Sequence, residues 1–359
     1  MTTSEATTDR KVLPNTANRQ RQMRCRFFIE SFIRELHVTT KSSLPRNRTP
    51  LLVAVLAITT CAMLPAAAQT TGAAPSNNPF SFELSAGYRY NSRLAVPDLD
   101  LSSDVGDSAF LLKAGVDFDV DFTDRTSFSA GYTYSQSQYQ DQKAFDIDSH
   151  IGSLQLKHDF GPFDGGLSYH QAQSDLDGRD YLDYRRLSAF ARGRLGDRVI
   201  LRGGYVHTEK EFNAEVRTQA VDRDATVDGF AADVYFLLDG TSTFLSAGYL
   251  YEDNDARGDA FDFNANSYTL GFTHNFSIAG RDSRFKAGYR HEQRDYDSIT
   301  PSIGVVRDDT RNSFDAELRV DLTRHVFASL THEVNDHSSN LPAADYSQNV
   351  TNLWVGLIF

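Results

Sequence analysis

"FLLKAGVDFDVDF" occupies residues 110–122. Its even positions, Phe110, Leu112, Ala114, Val116, Phe118, Val120 and Phe122, are all apolar, whereas Lys113, Gly115, Asp117, Asp119 and Asp121 between them are charged or small. Side chains alternate across a strand but recur every 3.6 residues on a helix, so only an extended chain sorts this stretch into two faces. "FSFELSAGYRYNSRL" (80–94) sorts in the same way, with Phe80, Phe82, Leu84, Ala86, Tyr88 and Tyr90 against Ser81, Glu83, Ser85, Gly87, Arg89 and Asn91.

Fourteen such segments run from 80–94 to 347–359, among them 163–174, 182–195, 283–294 and 311–322. Short links ("TDRT", "GP", "GD", "AGRD") follow the even segments and long polar links follow the odd ones, the plan of an up-and-down antiparallel meander. A soluble sandwich would turn the apolar face inward. Segments of this length exceed the usual globular strand, however, and suit a tilted membrane-crossing strand of about 9–11 residues. The polar face decides between them, because Lys113, Asp117, Asp119, Arg186, Arg192, Arg194, Arg202, Asp233, Lys286, Arg290, Asp315, Glu317 and Arg319 would crowd a dry core. The sequence therefore predicts an all-β fold, a transmembrane antiparallel β-barrel of about fourteen strands, with apolar side chains facing lipid and ionic ones facing a water-filled lumen.

The ends of the chain agree with this reading. "LLVAVLAITTCAMLPAAAQ" (51–69), preceded by "KSSLPRNR", has the charged, apolar and small-residue order of a secretory signal, with cleavage expected after Ala68. Residues 1–68 are thus read as an N-terminal extension plus signal peptide, the part ahead of Lys41 as an over-extended start, 69–79 as a periplasmic linker and 80–359 as the barrel. Ten of the 36 Lys+Arg and four of the 48 Asp+Glu lie in 1–68, so the remainder carries 26 against 44, a formal charge of −18. Both cysteines, Cys25 and Cys61, fall in the removed part, which leaves no disulfide or thiolate metal site. Such acidity argues against a nucleic-acid partner. The bacterial outer membrane is the expected compartment, and no cofactor is expected.

A local motif orients the strands. "SAGYRY" (85–90), "SAGYTY" (129–134), "RGGYVH" (202–207), "SAGYLY" (246–251) and "KAGYRH" (286–291) recur on odd-numbered segments only. Their outward pairs Tyr88/Tyr90, Tyr132/Tyr134, Tyr205/His207, Tyr249/Tyr251 and Tyr289/His291 form an aromatic girdle at the headgroup level of the long-loop end. Lipid and lipopolysaccharide are the partners expected there. At the other terminus Phe359, Leu357, Val355, Leu353 and Thr351 share the outward face, and the last strand closes against the first. A terminal Phe after alternating apolar residues resembles the signal read by barrel assembly machinery on bacterial barrel proteins.

The sequence leaves several functions open. Arg186, Arg192, Arg194, Arg198 and Arg202 gather on adjacent segments, while Asp117, Asp119, Asp121, Asp315, Glu317 and Asp321 lie toward the other side of the ring. These groups either line a pore across a transverse field or pair with neighbours and fill the lumen. His207, His291 and His332 point outward near the rim, which suits girdle residues better than a lipid-hydrolase triad. The acidic stretches 98–107 and 252–262 lack EF-hand spacing and read as solvated surface loops. "HEVNDHSSNLPAADYSQNVTNLWVGLIF" and "GYRYNSRL" (87–94) resemble the last hairpin and first strand of the barrel of surface lipoprotein assembly modifiers. This chain differs in having no helical-repeat periplasmic domain before the barrel; "TTGAAPSNNP" (70–79) is only a linker. That resemblance implies a surface-protein assembly role. The charged lining implies a porin-like or export channel for small polar molecules or polymer.

Overall fold

A computed structural model describes residues 78–213 and 220–359; the expected signal peptide and most of the linker lie outside the described residues. Fourteen strands form one closed antiparallel barrel: β1 (Phe80–Asn91), β4 (Asp107–Thr123), β5 (Thr126–Tyr139), β6 (Ile147–Asp159), β7 (Phe163–Leu176), β8 (Arg179–Leu195), β9 (Val199–Phe212), β10 (Ala225–Asp239), β11 (Thr243–Ala256), β12 (Phe263–Ile278), β13 (Arg281–Thr300), β14 (Val305–Asp321), β15 (Val326–Ser339) and β16 (Tyr346–Ile358). Two further strands, β2 (Ala95–Val96) and β3 (Leu101–Ser102), pair as a small hairpin between β1 and β4. No helix among the described residues is long and apolar enough to cross a membrane.

Each wall strand pairs with its sequence neighbour in the wall, and β1 closes on β16 in a register that sets Glu83 opposite Ile358 and Asn91 opposite Val350. Beyond that ladder Phe82 N donates to Phe359 O at 3.1 Å and Phe359 N to Phe82 O at 3.0 Å. The last residue is therefore a member of the closing seam. Closure gives every wall strand two partners, which is what a sheet needs where water cannot satisfy an edge.

Sidedness follows the alternation. Phe80, Phe82, Leu84, Phe110, Leu154, Leu167, Leu201, Phe230, Leu270, Phe314 and Leu353 stand exposed on the outside. Lys113, Ser168, Glu292, Arg311 and Arg319 are buried within the ring. An exterior this apolar would aggregate in water and is matched to hydrocarbon.

The loop end departs from the sequence expectation in two hairpins. The links after the fifth and eleventh wall strands are not long loops. β7 runs into β8 through Asp177-Gly178 alone, both with positive φ (53° and 69°), the conformation of a tight hairpin turn. β13 and β14 extend until only residues 301–304 remain between them. Polar alternation continues beyond the apolar band, so these strands keep pairing after they leave the membrane.

The link after β1 does remain long, and it turns inward. Leu94, Ala95, Val96 and Leu99 are buried. Val96 and Leu99 pack with Ile147 and Ile151 of β6, Ala172 and Leu176 of β7, Tyr181, Leu182 and Tyr184 of β8, and Phe212 of β9. Leu94 packs with Ala109, Leu111, Tyr139, Phe145 and Trp354. Residues 92–106 thus form a plug in the loop-side half of the lumen, and burying each of its large apolar side chains is worth about 1.5–3 kcal/mol.

Leu318 faces outward on β14 midway between Phe314, which opposes Tyr289, and Leu322 at the opposite turn. Leu318→Arg is expected to lower folding stability in lipid vesicles by roughly 2–4 kcal/mol, as measured by denaturant titration. The same change at the exposed hairpin residue Ser302 should leave the transition unmoved.

Candidate functional site: the plugged lumen

The plug is held to the wall by charge as well as by apolar packing. Pro97–Leu99 make a single 3-10 turn that ends at Asp100 in the left-handed region (φ 49°, ψ 45°). Asp tolerates that conformation better than most residues. Its carboxylate meets Arg307 of β14 head-on, with Nη1 donating to Oδ2 at 2.9 Å and Nη2 to Oδ1 at 2.8 Å. Arg223, which follows β9, donates Nη2 to the same Oδ2 at 2.6 Å. In the ring order β14 stands seven strands from β7, so the apolar and ionic contacts of the plug reach opposite walls. Ser102 Oγ donates to Ala343 O at 3.3 Å, and Gln348 Nε2 to Arg93 O at 2.6 Å, which ties both ends of the plug to the segment closing the barrel.

Arg307 is only 1% exposed as a side chain and belongs to a chain of buried pairs. Asp309 accepts from its Nε at 2.8 Å and Nη2 at 2.6 Å. Arg311 stands 3.8 Å from Asp309 and 3.9 Å from Glu292, and Glu292 accepts from Arg290 at 2.7 Å and Arg294 at 2.6 Å. Acids and bases alternate from β13 through β14 to the plug. The stretch 98–107 is therefore not a solvated surface loop. Its leucines and Val96 find an apolar wall, and its central carboxylate finds two guanidinium groups. The second acidic stretch also closes on itself, because Asp262 accepts from Ala256 N at 2.7 Å and Asn254 donates to Phe261 O at 3.0 Å. Among the described residues no group of three or more His, Cys, Asp or Glu could hold a metal ion.

Nearer the turn end the wall carries the charges singled out in the sequence. Asp164, Arg192, Arg202 and Asp233 oppose one another in register across β7, β8, β9 and β10. Arg192 Nε donates to Asp164 at 3.1 Å and Arg202 Nη1 to Asp233 at 3.4 Å, while the Arg202 guanidinium lies 4.7 Å from the Phe190 ring. Arg186 is half-buried and donates to Tyr184 OH at 3.3 Å. Arg194 leaves the wall and binds the turn carbonyls of Gly196 and Asp197 at 3.2 and 2.6 Å. Glu317 takes Arg284 at 3.3 Å and Lys286 at 3.8 Å. Arg319 binds Asp321 at 3.1 Å and covers the Phe327 ring at 3.6 Å. Asp119 accepts from Ser129 Oγ at 2.5 Å and is exposed to the turn-side opening.

The arginines and carboxylates of the wall thus meet as neighbours rather than standing as two bare patches, and many are buried rather than solvated. Buried charges persist only when paired and hydrogen-bonded. Three of the recurring glycines serve this arrangement. Gly131, Gly248 and Gly288 oppose Asp117, Asp233 and Asp315 in register. A Cβ on Gly131 or Gly248 would meet the facing carboxylate oxygen at 2.8 or 2.7 Å. Gly87, in the first of the five motifs, leaves room for the Trp354 ring.

On the outside Tyr88, Tyr90, Tyr132, Tyr205, Tyr249 and Tyr289 are exposed, and Tyr134 and Tyr251 half-exposed, at one level. Most bond a polar side chain on the next strand: Tyr132 to His150 (2.7 Å), Tyr249 to Asn266 (2.8 Å), Tyr289 to Asn312 (2.9 Å), and Tyr205 to Asp228. His207 joins Asp228 at 2.7 Å, His291 joins Asn312 at 2.9 Å and His332 joins Thr351 at 2.9 Å. Sequence reasoning missed a second ring at the turn end. There His158 and Phe160, His274 and Phe276, and His325 and Phe359 pair at 4.6–5.6 Å between ring centroids. The signal was present as aromatic and His residues at the ends of even segments, with His325 at the start of the thirteenth. Val355 and Phe359 are exposed beside them, and Leu357 is half-buried.

No protein-family model matches this chain, and no curated protein is significantly similar to it. Solved structures with a similar course are outer-membrane proteins. OmpT of Vibrio cholerae is 9% identical with a TM-score of 0.45, over 78% of this chain and 96% of that one. An anion-selective porin from Comamonas acidovorans is 11% identical with a TM-score of 0.43, over 78% and 98%. CdiB from Acinetobacter baumannii is 10% identical with a TM-score of 0.42, over 79% of this chain and 60% of that one. Likeness at this level carries no argument about cargo. The class, a transmembrane β-barrel of fourteen strands, rests on the closed register and the apolar exterior of the chain itself.

Burial pushes the Asp100 carboxyl up, but the charges of Arg223 and Arg307 and their hydrogen bonds outweigh it and bring it down to about 2. A carboxyl lowered on folding stabilises the held state above the ordinary value near 3.8 and loses that contribution as pH falls through about 2. The clamp is then worth ~2 kcal/mol to the plug above pH ~4. A spin label at Val105→Cys is expected to stay immobilised above pH ~4 and to gain mobility between pH ~4 and ~2. Asp100→Asn should abolish that pH dependence.

Proposed function

We propose that this chain is an outer-membrane barrel closed at rest by its first long link, with a structural or surface-protein assembly role, rather than a steadily open porin. One observation carries the reading: residues 92–106 span the lumen, apolar against β6–β9 and ionic against Arg307. The resemblance of the last hairpin and first strand to surface lipoprotein assembly modifiers supports the assembly role. Lipid and lipopolysaccharide would meet the tyrosine girdle, and barrel assembly machinery would read the terminal strand ending in Phe359. The lipid-facing histidines belong to the girdle's hydrogen-bond pattern, which supports a non-enzymatic barrel.

A second reading, a channel for small polar molecules or polymer, is favoured by the turn-side lumen. There Asp119 and Asp121 are exposed on β4, and the row Asp164, Arg192, Arg202 and Asp233 lines the wall on β7–β10. Planar-bilayer recording separates the two. Refolded full-length protein is expected to hold the baseline, and deletion of residues 94–103 to produce long-lived conducting steps. A steady open current from the full-length chain would overturn the plugged reading. In the deleted protein, Arg192→Glu with Arg202→Glu should shift preference toward cations; unchanged selectivity would remove both residues from the conducting path.

The terminal strand has its own test. Deleting Phe359 is expected to lower the amount of heat-modifiable barrel in cells severalfold, while refolding of the purified chain in detergent proceeds.

A further inference from the structure

We propose that the cleft between Arg307 and Arg223 is a binding site for a carboxylate-bearing solute, and that the chain's own Asp100 occupies it as a tethered stand-in that locks the plug. The proposal rests on the plugged reading of the lumen and adds to it the chemistry that would release the plug.

Three features distinguish this cleft from an ordinary structural ion pair. The first is geometry. Arg307 presents Nη1 and Nη2 to the two oxygens of one carboxylate at 2.9 and 2.8 Å, and Arg223 adds a third charged donor at 2.6 Å. A planar guanidinium facing a carboxylate in this way recognises the group wherever it comes from, because the donors read only two oxygens and their charge.

The second is preorganisation by groups other than Asp100. Arg307 is fixed by two bonds to Asp309, which itself accepts from Ser339 Oγ at 2.6 Å, and its guanidinium lies 4.7 Å from the Tyr296 ring. Arg223 lies 4.1 Å from the Phe261 ring. Both cations therefore keep their placement when Asp100 departs. A site whose donors are held by their surroundings loses little ordering entropy on taking a ligand.

The third is the bond between occupant and plug. Asp100 sits at the end of a single 3-10 turn in left-handed conformation, between Leu99 and Leu101, while Val96 and Leu99 hold the plug by apolar packing. Removing the carboxylate takes a bonded anion from both cations, leaving Arg307 with Asp309. A dissolved carboxylate restores that charge, and a neutral amide of the same shape does not. Because the tethered group competes at an effective concentration on the order of millimolar, a free carboxylate displaces it only at millimolar levels or above.

The test uses the full-length chain refolded in detergent, with succinate as probe and succinamide as its neutral counterpart. Calorimetry is expected to show Asp100→Ala binding succinate with a Kd on the order of a millimolar or tighter. Wild type should bind it at least about tenfold more weakly, since its site is filled. Asp100→Ala combined with Arg223→Gln should lose the binding, and succinamide should bind neither protein. Succinate bound no better than succinamide by Asp100→Ala, or bound equally without Arg223, would overturn the site. If Asp100→Ala fails to give a heat-modifiable barrel, Asp100→Asn takes its place with the same expectations. In planar bilayers, succinate at tens of millimolar should raise the frequency of openings of the wild type and succinamide should not; equal effects overturn the proposal. The two readings fail separately. Steady current with no solute removes the plugged barrel, whereas a closed barrel whose Asp100 variants ignore succinate removes only the carboxylate site.

Discussion

Hydrocarbon offers no hydrogen bonds, and the architecture follows from that constraint. A strand edge left open in the membrane would strand a row of N–H and C=O groups at several kcal/mol each, so the sheet has to meet itself. Here it does so between β1 and β16, and the ladder continues to the last residue through the reciprocal bonds of Phe82 and Phe359. With the backbone closed in a ring, the side-chain alternation has only two destinations, lipid outside and lumen inside. The apolar exterior and ionic interior are the same fact seen from two sides.

The interior then has to be reconciled with its charge. A ring of fourteen strands encloses more space than wall side chains alone fill. This chain divides that space. At the turn end, opposed pairs such as Arg192 with Asp164 and Arg202 with Asp233 line the wall above an opening to which Asp119 is exposed. At the loop end the chain supplies its own stopper. The stopper is amphipathic in a way suited to a mixed wall, with leucines and Val96 toward β6–β9 and one carboxylate toward β14. Because removing one partner of a buried ion pair costs far more than the pair itself gains, Asp100 and Arg307 hold each other firmly even where the net stabilisation is modest.

Much of this was legible in the residues. The alternation of 110–122 gave the sidedness, the count of segments gave the fourteen wall strands, and the recurring Gly-Tyr steps marked the level of the outer rim. The inward turn of 92–106 was not legible, for a physical reason. "DLDLSSDVGD" was judged by its carboxylates, which favour water unless cations await them, and those cations, Arg223 and Arg307, lie 123 and 207 residues further along. "LAVP" ahead of it carried the contrary signal, since Leu94 and Val96 have no place on a solvated loop. The ends of β7, β8, β13 and β14 were read short because pairing outlasts the apolar band once polar residues alternate in its place. The pairing of the wall charges was equally hidden: register decides which acid meets which base, and a slip of one residue would have sent every one of them to the lipid.

The closing seam has a kinetic side. β1 spans 12 residues, the shortest wall strand, while β13 spans 20. Local opening free energy scales with the ladder that must be broken, so thermal breathing of the ring concentrates where β1 meets β16. It is also the pairing of greatest sequence separation in the wall, the one whose loop-closure entropy is largest. The molecule is thus a ribbon with one weak hem, and the residence time of the folded ring in a bilayer is governed by how fast that hem unpicks.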